Sequence, residues 1–176
     1  MPTLLHEKFN LSLTDAGFSS MFYHHVFAFT GIIFGGIFSD KLARKSKYSR
    51  LIMQAFGLFL GAPFIFWMGQ SSSLIPVYIA LAGFGLGRGI FEANFITTLF
   101  ATIEPKYRAS VNGLVLSFVF IIGSISPYLL GSFKQSFGLS NGLSSLGFAY
   151  IIGGICVIIV WKLFFAKDIV LEPMEQ

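Results

Sequence analysis

Gly36-Ile-Phe-Ser-Asp40-Lys41-Leu-Ala-Arg44-Lys45 joins two long apolar stretches, and its reading decides the rest of the chain. A small residue closes a hydrophobic segment, an acid follows one turn later, and a basic cluster comes next. Charges this dense do not lie in hydrocarbon, because each Lys, Arg or Asp at the centre of a membrane helix costs roughly 3 kcal/mol. The segment therefore reads as a connection at a membrane surface between two spans.

Composition agrees. Of 176 residues, 55% are apolar and 11% charged, and the mean hydropathy is +0.76, values that fit a soluble domain poorly. Twenty-two phenylalanines and nineteen glycines suit helices that show bulky groups to lipid and small residues to one another. The net charge of +4 has its source in basic surface loops, so no nucleic-acid partner is expected. Cys156 is the single cysteine and lies in an apolar stretch, so it reads as a packed small residue. Residues 1–17 lack the basic region, apolar core and cleavage site of a signal peptide, which leaves the first span to direct insertion.

Five stretches are long enough to cross a core that needs about 20 helical residues: 18–38, 51–69, 75–102, 109–131 and 145–165. Between them lie the basic run 40–50, Gln70 to Ser73, Glu104 to Arg108, and Lys134 to Ser144, which reads as a glycine- and asparagine-containing loop. Connections this short predict antiparallel neighbours in a compact bundle. Lys41, Arg44, Lys45, Lys47, Arg50, Lys106, Arg108, Lys162 and Lys167 fall on one side, against Lys8 and Lys134 on the other. The basic side is expected to be cytoplasmic, with the N-terminus outside and a cytoplasmic tail at 167–176, in the cell (inner) membrane.

The opening segment resembles the signature loop of the major facilitator superfamily, G-x-x-x-D-[RK]-x-G-R-[RK]. It keeps Gly36, Asp40, Lys41, Arg44 and Lys45 and departs at Ala43, where the pattern has glycine. The resemblance implies an all-α membrane protein that is half of a twelve-helix facilitator bundle. Here that means five full transmembrane helices plus the end of a sixth. Residues 1–17 read as the outer end of a preceding helix and a loop, with Ser12 or Thr14 capping the next helix and Asp15 in its first turn, and 18–166 as the five-helix bundle. The start, Met1-Pro-Thr-Leu-Leu, resembles a W-x-P-T-Y-L segment of organic-anion and sugar-phosphate transporters in the superfamily, which implies the C-terminal half. On that reading the chain is a fragment whose missing N-terminal six-helix half is its partner; an intact five-span protein is the alternative. Gly35-Gly36-Ile-Phe-Ser-Asp and Leu130-Gly131-Ser-Phe-Lys-Gln echo one another across the membrane, as inverted repeats would.

Arg88 and Glu92 are the only charges deep within a span. Such residues are functional candidates by default, and their i, i+4 spacing puts them on one face. Gly85 is expected on the same face, leaving space before the guanidinium. The resemblance makes this the tenth helix, lining the central cavity. Arg88 would then hold a small organic anion through paired hydrogen bonds. Glu92 would serve as counter-ion or as a proton-coupling carboxylate. His25 and Tyr23 are candidate cavity residues, while His24 shares a stripe with Gly31 and Gly35 that suggests packing; for both histidines a structural role is the commoner fate. No metal site is expected, since adjacent helical histidines point about 100° apart and lack acidic or thiolate company.

Gly31/Gly35, Gly57/Gly61, Gly83/Gly87 and Gly85/Gly89 read as helix-contact pairs rather than a phosphate loop. Pro127 is expected to kink its span. Asp40 is expected to pair with a nearby cation, forming a latch that holds one conformation. Together these features point to a secondary active transporter working by alternating access, coupled to protons or sodium, with no cofactor and no enzymatic activity. The competing reading is a membrane scaffold or assembly subunit in which Arg88 and Glu92 form a structural pair.

Overall fold

The computed structural model describes residues 1–44, 46 and 48–165; within this range the side chains of 126, 127, 129, 130, 133–137 and 139 are not described. Lys45, the tail 167–176 and the side chains of Pro127 and Lys134 thus lie outside the described residues. The described residues form six α-helices and no strand: α1 (Pro2–Phe9), α2 (Leu13–Ala43), α3 (Ser49–Gln70), α4 (Leu74–Phe100), α5 (Arg108–Phe137) and α6 (Leu139–Val160). A 3₁₀ turn, Pro105–Tyr107, precedes α5, and a π-helical turn, Trp161–Phe165, extends α6. Five helices are long and apolar enough to cross a bilayer.

The short first helix ends at Asn10, whose left-handed backbone (φ 54°) turns the chain. Ser12 then caps α2: its hydroxyl oxygen accepts from the Asp15 amide at 3.0 Å and its O–H donates to the Asp15 carboxylate at 2.7 Å. This is the cap expected from sequence, with Ser12 rather than Thr14 in the role.

Helix α4 is the centre of the bundle. It runs parallel to α2, with Gly85 against the His24 carbonyl, Gly89 against the Ala28 carbonyl and Gly35 against Ile90. It runs antiparallel to α3, with Gly57 against Gly87 and Phe91, and Gly83 under the Phe64 ring. In turn α3 packs antiparallel on α6, where Gly147 meets Ala62 and Phe66, and Gly154 meets Phe59. Glycine at these points lets backbones approach to distances that a side chain would forbid.

Three expectations need correction. Short connections do not make every pair of chain neighbours packing partners: α2 lies chiefly on α4 rather than on α3, while α3 packs on both α4 and α6. Short loops set the direction of consecutive helices, but the small-residue stripes choose which surfaces meet. The basic segment is not all loop, because α2 continues through Ala43 and includes Asp40 and Lys41. Its cap, Arg44, keeps helical angles (φ −62°, ψ −24°), so alanine replaces glycine at 43 without strain. Finally, 134–144 is not a loop. Helix α5 reaches Phe137, Gly138 turns the chain alone at φ 77°, and α6 begins at Leu139.

The polar residues that suggested that loop bind neighbouring helices instead. Gln70 donates to Asn141 and Ser144 at 3.2 and 3.1 Å. Ser144 donates to the Phe66 carbonyl, and Lys8 reaches the Gly69 carbonyl and Ser140. This ties α1, α3 and α6 together at one end of the bundle.

Candidate functional site

At 100° per residue, α4 presents three faces. One meets α2 through Gly85 and Gly89, and another meets α3 through Gly83 and Gly87. The third carries Val77, Leu81, Phe84, Arg88, Glu92 and Phe95 in succession. Its first part is closed by α1: Leu5, Val77 and Leu81 are buried in one cluster with Ala16, Met68 and Ala80. Beyond that cluster the face is open.

Arg88 and Glu92 occupy the open part. The Arg88 Nε–H donates to Glu92 Oε1 at 2.7 Å, and the two side chains are 42% and 40% exposed. One donor of the guanidinium is used, and its remaining N–H groups have no partner among the described residues. An ion pair this exposed at mid-helix is costly against lipid, because hydrocarbon would leave those donors unsatisfied.

Around the pair stands an aromatic group drawn from three helices. The His24 ring stacks on Phe84 (4.9 Å between centroids, 24° between planes), and Tyr150 of α6 meets Phe84 edge-on at 5.5 Å. Arg88 lies within electrostatic range of both His24 and Tyr150. His24 is buried at 8% exposure, and its Nε2 has no hydrogen-bond partner among the described residues.

The other sequence candidates lie apart from the pair. Tyr23 stacks on Tyr78 at 4.5 Å and packs against the cluster under α1. His25 is exposed, with Nδ1 2.9 Å from the Met21 carbonyl oxygen. Neither has a hydrogen bond or ring contact to Arg88 or Glu92 among the described residues. Gly85 does not leave space before the guanidinium, as expected from its spacing, since the His24 backbone fills the place a Cβ would take. Three residues separate it from Arg88, and that 60° offset turns it onto the α2 contact.

In the signature segment, Arg50 Nη2 donates to Asp40 Oδ1 at 3.1 Å, linking the last turn of α2 to the first of α3. Lys41 and Arg44 are exposed. Gly36 faces open space, so its neighbour Gly35 carries the helix contact instead.

Sequence reasoning missed a buried polar set between α3 and α4. Gln54 donates to the Asn94 carbonyl at 3.1 Å and to the Thr98 hydroxyl, which itself donates to the Asn94 carbonyl at 2.8 Å. Asn94 donates to the Ile90 carbonyl at 2.9 Å, while its Oδ1 is buried without a partner among the described residues. The available signal was Asn94 and Thr98 at i, i+4 on an apolar helix.

Apolar helices of spanning length, joined by a charged turn and carrying an exposed ion pair at mid-helix, define a polytopic membrane protein. A family model described as Major Facilitator Superfamily matches residues 1–127. The chain therefore belongs to the major facilitator superfamily, a family of membrane transporters. No curated protein and no solved structure matches it significantly.

Proposed function

We propose that this chain is the C-terminal half of a secondary active transporter that moves a small organic anion by alternating access around Arg88. The observation that carries this reading is the open face of α4, where a guanidinium with unused donors stands at mid-helix, one turn after Phe84 and the His24 and Tyr150 rings that pack on it. Planar, fixed donors suit a carboxylate or phosphate. Glu92 holds the guanidinium while the site is empty and is displaced, or protonated, when the anion arrives. Coupling to protons or sodium would run through it. Tyr23 and His25 remain candidates for a wider cavity that a six-helix N-terminal half completes. The basic ends of α2 and α3 face the cytoplasm in this reading, which puts the N-terminus outside, and Asp40–Arg50 is the latch.

A second reading has its own support. The pair already closes within one helix at 2.7 Å, as a structural bridge in a scaffold would. Uptake of a radiolabelled organic anion into proteoliposomes, using the protein with its complementary half, separates the two. Under transport, Arg88→Ala and Arg88→Lys both abolish substrate binding while thermal stability is retained. If both variants bind substrate normally and only stability falls, the scaffold reading stands and the transport site is lost.

A further inference from the structure

On the side of α4 away from Arg88 lies a groove of about 720 Å³ between α2 and α3. It exists because the glycine contacts draw α2 and α3 each close to α4 without closing them on one another. Phe34, Phe38 and Leu42 of α2, Ile52 and Phe56 of α3, and Ile90 of α4 form most of its wall. Among its lining residues, Thr30 alone carries a polar side-chain atom, and that hydroxyl is spent on the Val26 carbonyl at 2.9 Å. The wall therefore offers nothing to a polar ligand.

The groove ends at charge. Leu42, on its wall, follows Lys41 directly and stands two residues before Arg44, and both cations are exposed. Neither has an ion pair among the described residues, whereas the adjacent carboxylate of Asp40 is occupied by Arg50. Lys41, Arg44 and Arg50 against Asp40 leave a net positive end on a wholly apolar slot.

We propose that this groove holds an acyl chain of an anionic phospholipid whose phosphate sits on Lys41 and Arg44. Apolar packing alone does not favour a lipid chain here over bulk lipid, because the surrounding tails are equally apolar. Selection comes from the cations, each of which attracts an anionic headgroup by an amount that makes two of them a roughly tenfold preference or more. The groove fixes where that headgroup rests, and the site is independent of Arg88 and of any transported solute.

Native mass spectrometry of the detergent-solubilised protein tests this, with dioleoyl phosphatidylglycerol and dioleoyl phosphatidylcholine as competing probes. The expected result is retention of phosphatidylglycerol about tenfold over phosphatidylcholine. Lys41→Gln/Arg44→Gln should remove the preference, Lys41→Arg/Arg44→Lys should keep it, and Ile52→Trp, which fills the groove, should lower retention of both lipids. Lys106→Gln, at an exposed cation that lies outside the groove wall and is already paired with Glu104 at 2.9 Å, should change nothing. Circular dichroism confirms that each variant keeps its helices. Equal retention of the two lipids by the unmodified protein overturns the proposal, as does an equal loss in Lys106→Gln, which would reduce the effect to general surface charge. Stripping of phosphatidylglycerol by millimolar glycerol phosphate would also overturn it, since the headgroup alone would then be the ligand.

Discussion

Asn94 shows how a single buried amide is used. Its backbone carbonyl accepts from Gln54 across the α3–α4 contact and its side-chain N–H donates to the Ile90 carbonyl within α4, yet Oδ1 has no partner among the described residues at 1% exposure. Removing a partner from such a set is costly, while removing the unsatisfied group is not. Gln54→Leu is therefore expected to destabilise by about 0.5–1.5 kcal/mol, and Asn94→Leu to be close to neutral. Reversible unfolding in mixed micelles measures both, and an Asn94→Leu loss above that of Gln54→Leu would contradict the account. Asp40 is a different case. Its partner is 3.1 Å away but the carboxylate is largely exposed, and surface pairs contribute about 0–1 kcal/mol. Asp40→Asn should leave insertion and stability intact while slowing uptake, if the pair is a conformational latch; unchanged uptake would remove the latch. Arg88, Glu92 and the signature residues were legible in the sequence because a charge in an apolar run is conspicuous. Phe84 and Tyr150 were not, since one phenylalanine or tyrosine among many carries no mark of the ring it touches.

At the scale of elements, close backbone approach separates glycines that look alike on paper. Gly89 lies on the Ala28 carbonyl, whereas Gly36 has open space. Gly89→Leu is expected to prevent α2 from seating on α4, at a cost of several kcal/mol, and Gly36→Leu to fold normally. Gel filtration of the two purified variants checks this, with an aggregated Gly36→Leu or a monodisperse Gly89→Leu counting against it. Gly138 is the third position of interest, because φ 77° with ψ 154° is open to glycine alone. Gly138→Ala should cost about 1–3 kcal/mol, read in the same unfolding assay. The five spans were visible as apolar lengths, but their ends were not. Helices run on through Asp40 and through Ser140 to Ser144 because those polar groups find water, caps or neighbouring helices.

Across the whole molecule, α4 is enclosed on two faces, and its third is open only beyond the cluster that α1 closes. Helix α5 is the least embedded of the spans, with none of its most apolar stretch buried. If the open face lines an aqueous path, a cysteine at Phe95, one heptad beyond Arg88, should react with a water-soluble maleimide in membranes. Native Cys156, exposed on α6 among apolar side chains, should react far more slowly. Comparable rates, or an inert Phe95→Cys, would place the face of Arg88 against lipid or sealed protein.

The sequence by itself determined that this chain crosses a membrane as apolar helices, where the charges fall, and to which superfamily it belongs. Those properties follow from the energy of placing each residue type in hydrocarbon or water, which is set position by position along the chain. Only the tertiary structure decided that α2 pairs with α4 rather than α3, that His24 and Tyr150 meet on Phe84 one turn before Arg88, and that Gly85 is filled rather than open. Those outcomes depend on which small-residue stripes come into register in space, a matter of shape between segments distant in sequence that no local pattern encodes.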